Sequence, residues 1–220
     1  MSLIVYGAPL SPFVRKVRLC LLEKDLPYQL EIILPFGKQP DWYRELNPLG
    51  RIPALKDGDF SLADSSVICQ YLEEKHPDLT PLLGHNAEQR AQVRWLEKYA
   101  DYELTPWSTF TVFRNRVLKP SIGKPCDEQA VQQALIEKLP SHFDYLAEVL
   151  GDAEYLVGDS LTLADLAFAC QIINMGHGGE ALDGQRWPNL AALYQRVEAR
   201  PSVQAVLPGE RAMLAKITGA

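Results

Sequence analysis

The chain reads as an α/β domain followed by an all-helical domain. Three observations predict this. Within the first 75 residues, short apolar strands alternate with amphipathic helices. The segment HPDLTPLLGHN at 76–86, with two prolines, a glycine and an asparagine, interrupts that pattern. Beyond it the periodicity is helical, and no convincing strand follows. The expected division is 1–78 for the first domain, 87–220 for the second and 79–86 for the linker.

The elements follow in order. Residues 3–6 form a short apolar strand. Val14, Val17 and Leu21 share one face of a helix over 12–24, with Phe13 and Cys20 widening the stripe. Ser11 followed by Pro12 reads as an N-cap and a proline in the first turn. Asp25 ends the helix where glycine would be easier, and Pro27 bars continuation. Residues 28–33 alternate enough for a second strand. Residues 36–49 read as loop and short helix, with the turn starting near Asp41. Asp57-Gly58 lies between two apolar runs, which predicts a hairpin of 53–56 and 60–62. A helix over 65–75 follows, stopped by Pro77.

In the second half, 87–119 is helical with a kink or break at Pro106. Residues 127–150 are helical, with Pro140 as another kink. Residues 163–175 are intensely apolar and predict a buried central helix. Thr162 and Asp165 form a capping box, with Leu161 and Leu166 placed as a hydrophobic staple. Helices over 189–199 and 203–207 close the chain.

Composition excludes several functions. The 220 residues are 47% hydrophobic with a net charge of −6, ordinary for a folded soluble chain. That charge disfavours nucleic acid and anionic membranes as partners. No apolar run reaches 18 residues, so no membrane span is expected. The N-terminus lacks a positive region and reads as a strand rather than a signal peptide. Cys20, Cys69, Cys126 and Cys170 form no C-x-x-C, which fits reduced, mostly buried thiols in a cytoplasmic protein. His76, His85, His142 and His177 do not pair at helical spacing, so no metal site is expected.

Five motifs in order carry a resemblance. They are Leu10-Ser11-Pro12-Phe13 after the first strand, NPLGRIPAL at 47–55, LADSSVICQYL at 62–72, GDSLTLADLAFA at 158–169 and WPNLAALYQRVEARPSV at 187–203. Together they resemble the glutathione transferase family across essentially the whole chain. The resemblance implies a thioredoxin-like α/β N-terminal domain, an all-α C-terminal domain and a homodimer. It also implies glutathione as co-substrate, a hydrophobic electrophile as acceptor, and a role in detoxification.

The resemblance assigns roles to residues. Ile52-Pro53 is expected to hold a cis bond, leaving the Ile52 backbone to pair with the cysteinyl unit of glutathione. Asp64 suits the γ-glutamyl ammonium and Ser65, at a helix N-terminus, its carboxylate. The family more often has Glu where Asp64 stands. Lys38, with Gln39 and Arg51, is the candidate for the glycyl carboxylate. Ser11 is expected to stabilise the thiolate, helped by a diffuse positive field from Arg15, Lys16 and Arg18; Tyr6 is the rival donor. Trp107 and Phe110 are the candidates for the electrophile pocket. Asp101 reads as part of a solvated helix face, or as a residue reaching a partner subunit's glutathione.

Plainer readings stand beside these. Asp64-Ser65 and Ser11 are also ordinary helix caps, and Pro53 also suits an edge strand. Ser11 in place of cysteine removes a mixed-disulfide route. Alternative functions are a non-catalytic scaffold of the same fold, or glutathione-dependent peroxidase, dehalogenase or isomerase chemistry. Isomerase ranks low because the serine-cysteine-rich strand-end motif is missing.

Overall fold

The computed structural model describes residues 3–219. The N-terminal part runs β1 (Leu3–Tyr6), α1 (Pro12–Glu23), β2 (Tyr28–Glu31), α2 (Asp41–Leu46), β3 (Ala54–Asp57), β4 (Phe60–Ala63) and α3 (Ser65–Lys75). Its four strands form one sheet in the order β2-β1-β3-β4. β1 pairs parallel with β2 and antiparallel with β3, and β3 with β4 antiparallel. This is the thioredoxin-like layer. β2 stops at Glu31, short of the expected 33, because β1 has only four residues to pair with. Asp25 closes α1 at φ 53°, the left-handed conformation that glycine would adopt more easily.

Everything after α3 that has regular structure among the described residues is helical. We number these helices α4 (87–121), α5 (128–150), α6 (Leu163–His177), α7 (Pro188–Glu198) and α8 (Pro201–Thr218). Proline does not break α4. The helix widens into π-helical turns at Ala100–Leu104 and Ser108–Leu118, with Pro106 between them. Hydroxyls bond the displaced carbonyls: Ser108 Oγ donates to Leu104 O at 2.9 Å and Thr111 Oγ1 to Pro106 O at 2.8 Å. α5 contains a similar wide turn, Ala134–Lys138, just before Pro140.

α6 is the axis of the molecule, buried throughout from Leu163 to Met175. Asp165 receives the Thr162 N–H, the Thr162 hydroxyl and the Leu156 N–H, each at 2.8 Å, so the capping box also fastens the preceding loop. α8 is much longer than the expected 203–207. It continues through Pro208 to Thr218, giving up one backbone donor at the proline. Buried contacts on its inner face, Glu210 above all, hold it against α1.

Candidate glutathione site

Sheet register brings three chain segments to one edge. Tyr6 lies opposite Ala54, and Ala54 opposite Ala63. The residues just beyond this row are therefore Gly7 to Ser11, Arg51 to Pro53, and Asp64-Ser65. A Cβ built on Gly7 would fall 2.4 Å from Val14 Cγ2, so glycine is what lets α1 start this close to the strand end.

Ser11 is the N-cap of α1. Its Oγ accepts the Val14 N–H at 3.4 Å, and its own N–H donates to Ala8 O at 3.1 Å. Accepting a bond leaves the hydroxyl proton free to donate elsewhere.

The Ile52–Pro53 bond is cis. The Arg51 carbonyl just before it is pinned by Tyr43 Oη at 2.6 Å and Asn47 Nδ2 at 2.7 Å. Neither the N–H nor the C=O of Ile52 has a hydrogen-bond partner among the described residues. Asp64 caps α3, accepting from Ser66 N at 2.9 Å and Val67 N at 3.1 Å. It does so at φ 77°, a conformation that costs an ordinary residue about 1–3 kcal/mol. Ser65 is 4% exposed, and neither its N–H nor its hydroxyl is bonded among the described residues. A positive helix end, an acid and unspent donors thus share one corner.

Lys38 and Arg51 are exposed and make no ion pair among the described residues. Gln39 is a brace instead: its Nε2 donates to Leu34 O and Gly50 O, both at 2.8 Å.

The basic group on α1 does not act as a diffuse field. Arg15 and Lys16 are fully buried and paired, Arg15 with Glu210 and Lys16 with Glu97 and Asp101. Asp101 is correspondingly buried rather than part of a solvated face. Burial lifts its carboxyl above the usual range, and Lys16 pulls it partly back. Tyr6 packs its ring on Trp42 and Tyr43, at centroid distances of 5.2 and 6.2 Å. Burial, and then Glu31, push its phenol above the ordinary value, which weakens it as a donor to an anion.

An apolar cluster adjoins Ser11. Leu10, Phe113 and Val117 pack together, with Leu118, Met213, Leu214 and Ile217 against them. Trp107 is half-buried with the Lys138 ammonium 5.7 Å from its ring, and Phe110 is 55% exposed. The residues of α8 in this cluster escape the sequence-based expectation because Pro208-Gly209 reads as a helix stop. The spacing Val203, Leu207, Glu210, Leu214, Ile217 carries a helical signal through it.

The fold and this corner define a class. Residues 5–81 match the family model described as glutathione S-transferase, N-terminal domain, and residues 113–208 the model for the C-terminal domain. The chain belongs to the glutathione S-transferase family. It is 32% identical over 218 residues to glutathione S-transferase F13 of Arabidopsis thaliana, spanning 95% of this chain and 96% of that one. It is 34% identical over 210 residues to glutathione S-transferase 4 of Zea mays, spanning 92% and 90%. Among solved structures it resembles a glutathione S-transferase from Rhodospirillum rubrum, with TM-score 0.85 and 30% identity, covering 93% of this chain and 91% of that one.

Proposed function

We propose that this chain binds glutathione at the sheet edge, holds its sulfur as thiolate beside Ser11, and transfers it to a hydrophobic electrophile. The observation that carries the reading is the corner itself: Ser65 with unspent donors, Asp64 beside it, and the unpaired Ile52 backbone. Ser65 receives the γ-glutamyl carboxylate and Asp64 the ammonium. Ile52 pairs with the cysteinyl unit, with Pro53 shaping the turn. Lys38 and Arg51, without an ion pair among the described residues, are the cations for the glycyl carboxylate.

A free thiol titrates near 8.5, so most of it is protonated at neutral pH. Each unit of lowering needs about 1.4 kcal/mol of preference for the thiolate. The Ser11 proton and the start of α1 supply one or two such units. The electrophile lies against Leu10, Phe113, Val117 and the inner face of α8, with Trp107 and Phe110 as outer walls. The division at 79–86 separates these two tasks. A cytoplasmic homodimer completes the proposal, as the family resemblance implies.

Calorimetric titration with glutathione and turnover of an aryl halide test this. Ser11→Ala lowers kcat about 10- to 100-fold with glutathione affinity nearly unchanged, and Tyr6→Phe leaves turnover close to normal. No binding at millimolar glutathione overturns the reading. Loss of activity in Tyr6→Phe, with Ser11→Ala intact, overturns the choice of donor.

A further inference from the structure

A buried polar chain connects α8 to the loop before Ser11. Glu210 of α8 receives the Arg15 guanidinium: Nε lies 2.9 and 3.1 Å from its two oxygens, and Nη2 lies 2.5 Å from Oε2. Both side chains are fully buried. His177 Nε2 sits 3.0 Å from the same Oε2. Burial opposes ionisation of Glu210, yet Arg15 and His177 hold its carboxyl below the ordinary range.

The other end of the guanidinium is spent on α6. Arg15 Nη1 donates to Cys170 O at 3.0 Å and to Asn174 Oδ1 at 2.8 Å. A guanidinium offers only donors, so the Asn174 oxygen must face it and the amide NH2 must turn away. That NH2 lies 3.3 Å from Leu10 O and 3.2 Å from Thr109 Oγ1.

Leu10 O and Ser11 N–H belong to one planar peptide unit. The N–H end is held by Ala8 O at 3.1 Å and the carbonyl end by Asn174. Fixing both ends fixes the plane, and with it the direction in which Ser11 projects its hydroxyl. Arg15 N also donates to Ser11 O at 2.9 Å, closing the loop from the other side. The lever is large, since a misplacement of about 1 Å costs on the order of a hundredfold in rate.

We propose that Asn174 is a positioning residue for Ser11: anchored by Arg15 and Glu210, it sets the Leu10–Ser11 peptide so that the hydroxyl meets the bound thiol. This rests on the reading above, that Ser11 stabilises the thiolate. Asn174→Asp is the direct test, because the carboxylate keeps an acceptor for Arg15 but presents no donor to Leu10; the neutral Asn174→Leu, which brings no charge of its own near the thiol, must raise the thiol pKa as well. The readout is ultraviolet absorbance of glutathione thiolate on the enzyme across pH, with affinity, kcat and KM measured alongside.

The variant is expected to raise the apparent thiol pKa by about one unit and lower kcat near neutral pH about tenfold. KM for glutathione stays within about twofold. Thr109→Val is the matched structural lesion: it removes the other Asn174 contact, lowers the melting temperature and leaves the thiol pKa where it was. A destabilised Asn174→Asp with an unshifted thiol pKa overturns the proposal. Wild-type enzyme that binds glutathione with an unshifted thiol pKa overturns the Ser11 reading itself, and the positioning role falls with it. If Asn174→Asp does not fold, Glu210→Gln carries the test. It loosens the Arg15 anchor, and loss of that negative charge would by itself lower the thiol pKa, so an upward shift supports the proposal and an unchanged or lowered value overturns it.

Discussion

Replacing Lys16 by methionine should destabilise the protein by about 3–5 kcal/mol at neutral pH, because it strands two buried carboxylates. Lys16 on α1 reaches across to α4, with Nζ 2.5 Å from Asp101 Oδ2 and 2.8 Å from Glu97 Oε1. Apart from Lys16, neither Glu97 oxygen has a hydrogen-bond donor among the described residues, so that carboxylate depends on Lys16. Among the described residues, Asp101 Oδ2 then keeps only the Ser66 hydroxyl, at 3.3 Å. Methionine matches the length of the stem and removes the charge, so the loss is electrostatic rather than a cavity.

Two controls separate that mechanism from general damage. In the variant carrying Glu97→Gln and Asp101→Asn as well, stability should return to within about 2 kcal/mol of wild type, since the repelling charges are gone. The second control is pH. Burial already holds the Asp101 carboxyl above its ordinary range, and Lys16 is what lowers it. Without Lys16 its folded value rises further above the unfolded value of about 3.9. Between those values the folded state binds more protons than the unfolded state, so stability rises as pH falls. The Lys16→Met deficit should therefore narrow between about pH 7 and pH 5 in urea melts. A deficit under about 1 kcal/mol at neutral pH, or one that ignores both pH and the carboxylate substitutions, refutes the reasoning.

Two further outcomes follow from the geometry. Asp64→Gly relieves the backbone at φ 77° while removing the two cap bonds, so the melting temperature should barely move. Glutathione affinity measured by calorimetry should nonetheless fall about tenfold or more, through loss of a charge-assisted contact. Gly7→Ala forces a Cβ to within 2.4 Å of Val14 Cγ2. It should cost about 1–3 kcal/mol in denaturant melts and lower kcat, because the fully buried Val14 has little room to turn and the start of α1, with Ser11, must back away; an unchanged kcat would count against that close approach.

Local signals made the N-terminal layer legible. Ser11-Pro12, Asp57-Gly58 and Asp64-Ser65 are turn and cap chemistry that specify conformation within a few residues, and the structure places α1, the hairpin and α3 there. What stayed hidden was long-range. Arg15 and Lys16 look like a surface charge cluster, and only the partners Glu210, Glu97 and Asp101, at least 80 residues away, bury them. The α8 side of the apolar cluster at Leu10 was concealed by Pro208-Gly209, a strong local stop overridden by tertiary packing. At the prolines of α4 and α5 a wide turn absorbs the missing donor, so both helices run on without a break.

The wide turns of α4 have a consequence for how such an enzyme can diversify. An extra residue in a helical turn rotates everything downstream by about 100° relative to what precedes it. Asp101, in the first wide turn, and Glu97 just before it grip α1; Phe113 and Val117, in the second wide turn, face Leu10. The two grips are joined by the short link Thr105–Trp107. Changing the number of residues between that link and Phe113 would turn a different set of side chains toward Leu10 without disturbing the grip on α1.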